Sequence, residues 1–341
     1  MTATRNAARL RSKASQALPR EYLPALATLV ETAPDSDQWV HEIKYDGYRI
    51  GCRIDRGEIT LLTRNGNDWT ASFPEIVKAA KALKIERGLI DGEAAVLLPD
   101  GRTSFQALQS ALKTATRNIA YFAFDLLHLN GRDLTQLPLS ERKVILEHVI
   151  GKNPSGVIRL SGHFEGRGKD VLQEACRMGL EGIVSKRRDA PYEHGRTRTW
   201  LKTKCIKRQE FVIGGFTDPD GSRVGIGALL VGYYENQRLI FAGKVGTGFT
   251  DAVLIDLRKL LDRLAQSECP FANKLTGPPG RNAHWVRPEL VAEVAFTEWT
   301  NDGKIRHPSF QGLRKDKPAR EVKKETALDT DSAAGVKINR W

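Results

Sequence analysis

The spacing of hydrophobic residues alternates between strand-like and helical over residues 48–187. Tyr48, Ile50, Cys52 and Ile54 alternate with polar or small residues, which is typical of a half-buried strand. Segments 74–84, 140–150 and 168–178 have helical spacing, and Ser140 could cap the second of them. A further short helix would carry Phe105, Leu108 and Leu112. The continuous apolar run 119–129 predicts a buried strand, 88–98 is a further candidate for a buried strand, and 182–187 is another strand candidate. This mixture of elements predicts an α+β domain.

Short strands replace this mixture from about residue 207 onwards. The strand candidates are 210–216, 226–235 and 238–245, followed after the Pro- and Gly-rich segment 276–280 by a last strand at about 289–299. Thr250 can cap an intervening helix with one apolar stripe. Several short strands with one helix between them suit a small Greek-key barrel of the OB type, which often binds nucleic acid. Another small α+β module would show the same periodicity.

The length of 341 residues fits two domains. We predict a basic flexible arm at 1–20, a first domain at 21–206, a second domain at 207–318 and a polar tail at 319–341.

Charge and cysteine content narrow the class of protein. The 53 basic and 41 acidic residues give a net charge of +12, which favours polyanionic partners such as nucleic acid. The four cysteines are scattered and include no C-x-x-C pair, so we expect reduced thiols in a cytoplasmic protein, without a disulfide framework or structural zinc. No segment approaches the roughly 20 apolar residues of a membrane helix, so we expect no membrane contact.

The first segment with candidate chemistry runs from His41 to Arg49. Lys44 lies where a strand candidate meets Gly47, with acidic residues on both sides. A lysine forms covalent intermediates when its amine is neutral, which burial or neighbouring cations favour. From these residues alone, a salt-bridged surface strand explains the pattern better.

Paired cations and isolated carboxylates occur further along the chain. Lys202 and Lys204 would share one face of a strand, which is unfavourable unless an anion such as phosphate lies between them. The second cationic cluster contains Arg306, Arg314, Lys315 and Lys317, and could instead be a solvated basic face. Glu93 and Glu181 each neighbour a glycine, and such carboxylates can hold a divalent ion that also touches phosphate.

Taken together, these segments resemble the covalent nucleotidyltransferase superfamily of ATP-dependent DNA ligases and mRNA capping enzymes. Its ordered motifs are matched by residues 44–49, 91–93, 124–127, 181–186 and 200–204. Five motifs in order are far more specific than a lone K-x-D-G. Segments 41–49, 226–234, 243–249 and 306–317 are most similar to the ligase domain of bacterial ligase D, an end-joining enzyme, and the likeness extends over about residues 20–318.

The resemblance implies an ATP-grasp-like adenylation domain of mixed and antiparallel sheets with flanking helices, followed by an OB-fold barrel. It also implies that Lys44 takes AMP from ATP and passes it to a DNA 5′ end. By position, the resemblance assigns the chemistry to Lys44, Asp46, Lys202 and Lys204; nucleotide contacts to Glu42, Arg49, Arg64, Glu93, Phe124, Lys186, Arg306, Arg314 and Lys317; and a divalent metal, Mg²⁺ or Mn²⁺, to Glu93 and Glu181. Within these sets, Glu42 would contact the adenine amino edge, Phe124 would stack on the ring, and Lys186 would join the lysines at the α-phosphate.

The implied partners are nicked or broken double-stranded DNA and a Ku-like end-binding protein, with the enzyme acting as a monomer. Three alternatives remain at this point. They are a GTP-dependent guanylyltransferase that caps RNA, an RNA ligase, and a non-catalytic protein that binds nucleic acid.

Overall fold

The computed structural model describes residues 17–114, 118–151, 156–273, 275 and 283–328. Its contacts divide the described residues into two compact units, one within 17–205 together with 327–328 and the other within 206–326. The predicted arm, up to residue 16, lies outside the described residues, and so does the segment 276–280. Past residue 318, Ala319–Glu321 form a short 3-10 helix, and Val322 is fully buried in the core of the second unit.

The first unit contains ten strands and four α-helices among its described residues. The strands are β1 (Ala25–Leu29), β2 (Trp39–Ile43), β3 (Tyr48–Asp55), β4 (Glu58–Thr63), β5 (Arg87–Val96), β6 (Ile119–Leu129), β7 (Arg132–Asp133), β8 (Ile158–Leu160), β9 (Gly182–Arg187) and β10 (Gly195–Lys204). The helices are α1 (Pro74–Lys81), α2 (Phe105–Ala111), α3 (Leu139–Ile150) and α4 (Gly168–Arg177), and Thr70–Ser72 form a 3-10 turn.

These strands form two sheets. The first sheet has the order β1-β10-β9-β2, with β9 antiparallel to both of its neighbours. The second has the order β4-β3-β5-β6-β7, with β8 added alongside β6. The largest core of the unit lies between the second sheet and helices α1, α2 and α3, and includes Ile50, Ile76, Phe105 and Leu146.

The second unit is built on a closed ring of strands, with one α-helix among its described residues. Its elements are β11 (Lys207–Thr217), β12 (Ala228–Glu235), β13 (Arg238–Val245), α5 (Asp251–Asp262), β14 (Ala265–Gln266), β15 (Ala283–Val286), β16 (Val291–Phe296), β17 (Glu298–Trp299), β18 (Ile305–Arg306) and β19 (Ser309–Arg314). The long strand β11 pairs with β12, β15 and β16, and β16 pairs with β19. Phe310 N–H donates to Thr247 O at 2.9 Å, which joins β19 to the end of β13 and closes the ring. Closure removes exposed sheet edges and is the expected OB-type arrangement.

Most of the predicted elements are confirmed, with shifts of a few residues at their ends. The strands at 119–129 and 182–187 are β6 and β9 with the same bounds, and the helices at 74–84, 140–150 and 168–178 are α1, α3 and α4. The Thr250 side chain caps α5 by accepting a hydrogen bond from Val253 N–H.

Two local predictions were wrong. Ser140 does not cap α3, which begins at Leu139; the N–H groups of Leu139 and Ser140 donate instead to the main-chain oxygens of Ala190 and Arg188. The strand at 289–299 is not the last, because β18 and β19 follow it. In β19 only Phe310 and Gly312 are buried, so the segment shows little hydrophobic pattern.

The cysteine prediction was also wrong, because Cys176 and Cys205 form a disulfide with a Cα–Cα distance of 5.2 Å. Cys176 lies on α4 and Cys205 directly follows β10, 29 residues later. The two ends meet because the chain between them forms β9, which pairs with β10. Spacing along the sequence does not reveal this approach. Cys52 and Cys269 are free thiols, the first buried and the second exposed.

A fully buried ion pair anchors α3 to the second sheet. Arg142 on α3 donates from Nε and Nη2 to the two carboxylate oxygens of Asp125 on β6, at 2.8 and 2.9 Å. Arg142 Nη1 also donates to the main-chain oxygens of Leu137 and Ala190. Both side chains are 0% exposed, so each charge depends on the other for compensation.

We predict that Arg142→Met lowers the free energy of unfolding by about 3–5 kcal/mol, because Asp125 would remain buried without its partner. Urea unfolding followed by far-UV circular dichroism measures this loss. The double variant Arg142→Met with Asp125→Leu should recover much of the stability, since apolar replacement of a whole buried pair costs little. A single variant as stable as the unsubstituted protein would contradict the prediction.

Candidate active site

Lys44, Glu181 and Lys204 lie together at one end of the first sheet. Lys44 follows β2, and its N–H donates to Gly182 O at 3.0 Å. Lys44 Nζ donates to Glu181 Oε2 at 2.6 Å, with the Glu181 side chain 5% exposed and that of Lys44 23% exposed. Lys204 pairs with Gly182 across the sheet, and Lys202, two residues earlier on β10, points to the same face. The predicted nucleophile, one carboxylate and two cations are therefore brought together.

Two glycines of this region are required by close main-chain approach. A Cβ on Gly47 would lie 2.2 Å from Ala94 O of β5. Gly182 has φ of +149°, and a Cβ there would lie 2.1 Å from Thr203 O. A larger residue at 47 would push the loop between β2 and β3, which carries Lys44 (the Lys44 loop), away from the second sheet. A larger residue at 182 would separate β9 from β10. The glycines explain why the lysine and glutamate motifs have these spacings.

Glu42 lies at the centre of a buried polar cluster. Its Oε1 accepts from Lys143 Nζ at 2.7 Å, and its Oε2 accepts from Ser161 Oγ at 2.9 Å. Lys186 Nζ forms an ion pair with Oε2 at 3.0 Å. Burial opposes the Glu42 charge, but the two lysines hold the pKa of its carboxyl below the ordinary value. Lys186 therefore contacts Glu42, the residue predicted to bind adenine. Its place beside the α-phosphate lysines stays a prediction.

Aromatic rings connect the two sheets beside this cluster. Phe124 of β6 makes an edge contact with Trp200 of β10, and Lys186 Nζ lies 4.3 Å from the Phe124 ring centroid. The Arg49 guanidinium lies 4.4 Å from the same centroid. Tyr45 stacks on Phe122 with a centroid distance of 4.1 Å. The structure therefore places Phe124, the predicted adenine platform, among cationic groups of the site.

Arg49 is held by a carboxylate that two tyrosines also contact. Arg49 donates from Nε and Nη2 to the two oxygens of Asp91, both at 2.6 Å. The hydroxyls of Tyr22 and Tyr192 donate to Asp91 at 2.5 and 2.6 Å. Burial, with Asp91 nearby, raises the pKa of both tyrosines well above the ordinary value, so both remain hydroxyl donors. Asp91 raises the pKa of the Arg49 guanidinium well above its ordinary value against the effect of burial.

The remaining candidates of the first unit lie on or beside the second sheet. Asp46 Oδ2 accepts from Phe105 N–H at 3.2 Å, so this carboxylate holds the Lys44 loop against the start of α2. Glu93 lies on β5 opposite Arg49 on one side and Phe122 on the other. Arg64 directly follows β4 and is half-buried. A role for Asp46 in orienting either Lys44 or a metal-bound water stays a prediction.

The cationic candidates of the second unit are each paired with acidic residues of that unit. Arg306 donates to Glu298 at 2.5 Å and is exposed. Lys317 Nζ donates to Glu210 at 2.5 Å.

Arg314 is the most enclosed of these cations. It makes a two-fold contact with Asp316, at 2.8 and 2.7 Å, and a third with Glu293 at 3.0 Å. These acids raise the pKa of Arg314 well above its ordinary value, although burial acts in the opposite direction.

The acidic, histidine and cysteine side chains that the structure describes include no group of three or more arranged to hold a metal. Mg²⁺ usually needs only one or two protein carboxylates when it binds together with substrate phosphates. Glu181 contacts the Lys44 ammonium and Glu93 lies on β5, and their joint role at a metal stays a prediction.

Family models and known proteins agree with this geometry. The model described as an ATP dependent DNA ligase domain matches residues 22–204, and the model of the ATP dependent DNA ligase C terminal region matches residues 222–317. The chain belongs to the family of ATP-dependent DNA ligases. The predicted fold, a nucleotidyltransferase domain followed by an OB-fold, is thereby confirmed.

The relatives include ligase D proteins. The chain is 44% identical over 327 residues to the multifunctional non-homologous end joining protein LigD of Pseudomonas aeruginosa, covering 94% of this chain and 38% of that protein. The LigD of Mycolicibacterium smegmatis is 37% identical over 309 residues, with 90% and 40% covered. A solved structure of mycobacterial DNA ligase D complexed with ATP and MES is 34% identical, with a TM-score of 0.67, and 89% of this chain and 98% of that chain are covered. The chain thus spans about two fifths of the length of these curated relatives.

Sequence reasoning missed several side chains that support this ligase-family site. Lys143 and Ser161 bind Glu42, and Tyr22 and Tyr192 bind Asp91. Lys143 is separated from Glu42 by 101 residues, and Tyr192 from Asp91 by the same number. A lysine on a helix and a tyrosine in a loop have no local feature that distinguishes them from surface residues.

The structure also contains no described helix long and apolar enough to cross a membrane.

We predict that Asp91→Asn lowers the free energy of unfolding by about 3–5 kcal/mol, because Arg49 would lose its buried counter-charge. Tyr192→Phe removes one hydroxyl donor to Asp91 and the acceptor of the Ala25 N–H, and should cost less, about 1–3 kcal/mol. Paired urea unfolding curves compare the two variants with the unsubstituted protein. Equal losses in both variants would show that the Arg49–Asp91 charge pair is not the dominant interaction.

Proposed function

We propose that this chain is an ATP-dependent DNA ligase, which seals nicked or broken double-stranded DNA through lysyl-AMP and DNA-adenylate intermediates. One observation carries the proposal: Lys44 Nζ lies 2.6 Å from Glu181, with Lys202 and Lys204 on the same sheet. A nucleophilic amine beside a carboxylate and phosphate-binding cations is the set that adenylyl transfer needs. Membership of the ligase family supports it. The division into domains at 21–206 and 207–318 is part of the proposal.

In the first step, Lys44 Nζ attacks the α-phosphorus of ATP. A nitrogen–phosphorus bond forms, and the bond to the pyrophosphate oxygen breaks. The Lys44 ammonium must first lose a proton, and Glu181 Oε2 at 2.6 Å is placed to accept it. Lys202 and Lys204 then offset the negative charge that builds on the α-phosphate in the transition state.

In the later steps, an oxygen of the DNA 5′-phosphate attacks the phosphorus of AMP, and the nitrogen–phosphorus bond to Lys44 breaks. The 3′-hydroxyl on the other side of the nick then attacks the 5′-phosphorus, and the bond to AMP breaks. The strand is sealed and AMP is released. Each step is an in-line displacement at phosphorus, so positioning and charge compensation supply most of the catalysis.

The nucleotide contacts are also part of the proposal. Glu42 would accept from the adenine amino group, and Phe124 would pack against the ring. Asp46 would keep the Lys44 loop in place through its contact with α2. The other proposed contacts to nucleotide or DNA are those of Arg49, Arg64, Glu93, Lys186, Arg306, Arg314 and Lys317. Glu93 and Glu181 would hold Mg²⁺ or Mn²⁺, which would neutralise phosphate charge when bound.

The biological setting follows from the relatives. Because the LigD proteins are named for non-homologous end joining, we propose that this chain joins DNA ends in repair and recombination, in the bacterial cytoplasm. A Ku-like protein that binds DNA ends would then be its partner, and the ligase itself would act as a monomer.

The first test is covalent labelling. Incubation with Mg²⁺ and ATP labelled at the α-phosphate should give a radioactive protein that survives a denaturing gel, and Lys44→Ala should give none, because the nucleophile is lost. The control is Lys81→Met, which replaces an exposed lysine on α1 and should label normally.

Labelling by GTP instead of ATP would assign the protein to the capping enzymes. A protein purified with AMP already attached would not be labelled until pyrophosphate had removed the AMP. If no label appears after that treatment, the proposed function is wrong.

The second test separates the role of Lys317 from that of its neighbour. If Lys317 contacts the departing pyrophosphate, Lys317→Ala should slow lysyl-AMP formation on the order of 100-fold and leave sealing of pre-adenylylated nicked DNA nearly unchanged. Lys315→Ala is the matched control, because Lys315 is exposed and lies two residues away. Quenched-flow rates of the two reactions measure the difference. Equal slowing of both reactions by Lys317→Ala would contradict a role confined to the first step.

A further inference from the structure

Lys143 is a buried cation that the proposed chemistry does not use. It lies on α3, is 6% exposed, and donates to Glu42 Oε1 at 2.7 Å and to the main-chain oxygen of Ser161 at 3.2 Å. Lysine is rarely buried unless it is paired, because its ammonium loses its hydration. The position of Lys143 is therefore tied to Glu42 rather than to solvent.

Glu42 is fixed by groups from three parts of the chain. Lys143 from α3 binds one oxygen, while the Ser161 hydroxyl, just after β8, donates to the other at 2.9 Å. Lys186 of β9 approaches that second oxygen to 3.0 Å. Three such supports leave the carboxylate little freedom to rotate or to move towards solvent.

These contacts also determine what Glu42 can bind. Burial alone would favour the neutral acid, but Lys143 and Lys186 keep the pKa of the carboxyl below its ordinary value. An ionised carboxylate is an acceptor only, with about four acceptor positions on its two oxygens. Two of these positions are used by the hydrogen bonds from Lys143 and Ser161. Capacity remains for a further donor.

Lys186 differs from the other two supports. Its Nζ is buried and makes no hydrogen bond of adequate geometry within the described part of the chain. It is instead held by the ion pair with Glu42 and by the rings of Phe124 and Trp200, at 4.3 and 4.0 Å from their centroids. A base that approaches Oε2 would therefore compete with this ion pair, whereas the hydrogen bonds of Lys143 and Ser161 would stay.

We propose that Lys143 is a positioning residue for base selection, which holds Glu42 as a fixed acceptor that takes a purine amino group and rejects a purine carbonyl. Adenine presents an amino donor at its six position, and guanine presents a carbonyl acceptor there. A carboxylate oxygen facing the guanine carbonyl would be repelled. The inference deepens the proposed function and rests on ATP being the nucleotide that Lys44 attacks.

The test compares ATP with GTP in the whole protein. Initial rates of covalent labelling are measured with each nucleotide labelled at the α-phosphate, and the ATP-to-GTP ratio is the readout. Lys143→Met should lower this ratio at least about tenfold, because Glu42 would be free to turn or to take a proton and then donate to a carbonyl. Lys81→Met, on the exposed side of α1, should keep the ratio of the unsubstituted protein.

A second variant keeps the test decisive. Ser161→Ala removes only the hydroxyl that binds the other oxygen of Glu42, and should lower the same ratio less than Lys143→Met does. If circular dichroism shows that Lys143→Met does not fold, Ser161→Ala decides the matter: a lowered ratio supports the inference, and an unchanged ratio overturns it.

The remaining outcomes separate this inference from the proposed function. A folded Lys143→Met protein that labels more slowly with both nucleotides, at an unchanged ratio, would show a merely structural role and overturn the inference alone. An unsubstituted protein that labels with neither nucleotide, even after treatment with pyrophosphate, would overturn the proposed function and this inference with it.

Discussion

Strand β9 lies between β2 and β10, and its antiparallel register with both strands brings the chemical groups together. Because Gly182 faces the chain at Lys44 on one side and Lys204 on the other, Glu181 is carried to the Lys44 ammonium at 2.6 Å. A shift of β9 by one residue would turn its side chains to the opposite face and separate these groups. Gly182 allows this register, since no larger residue fits against Thr203 O.

Buried charges fix the rest of the first unit around that sheet. Arg49 is bound to Asp91, Arg142 to Asp125 and Lys143 to Glu42, and all three acids are at most 2% exposed. Each pair joins two different elements, and each is costly to break because one charge would stay behind without compensation. These pairs add little net stability over an apolar core, but they restrict where each motif residue can lie. The site therefore depends on interactions beyond the residues that would touch ATP.

The sequence could predict what depends on local pattern. Strand β6 was predicted with the correct bounds because a continuous apolar run marks a buried strand, and the bounds predicted for β9 were also correct. Five motifs in order identified the ligase family. Partners that are distant in the sequence could not be predicted. Nothing near Lys143 indicates that it binds Glu42, and nothing near Cys176 indicates that it is bonded to Cys205. Strand β19 was missed because only Phe310 and Gly312 are buried in it, so it shows little hydrophobic alternation.

The support of Glu42 illustrates why such distant partners matter for selectivity. An exposed glutamate could rotate, exchange partners with water and accommodate either purine, and its contact with a base would be weakened by solvent. Glu42 is instead held by α3, by the segment after β8 and by β9, so its acceptor direction is set before a base arrives. A preorganised acceptor gains affinity for a matching donor without paying for reorganisation, and a mismatched carbonyl cannot be accommodated by a small rotation. On this view the nucleotide preference of the ligase depends on a lysine 101 residues from the carboxylate that it orients.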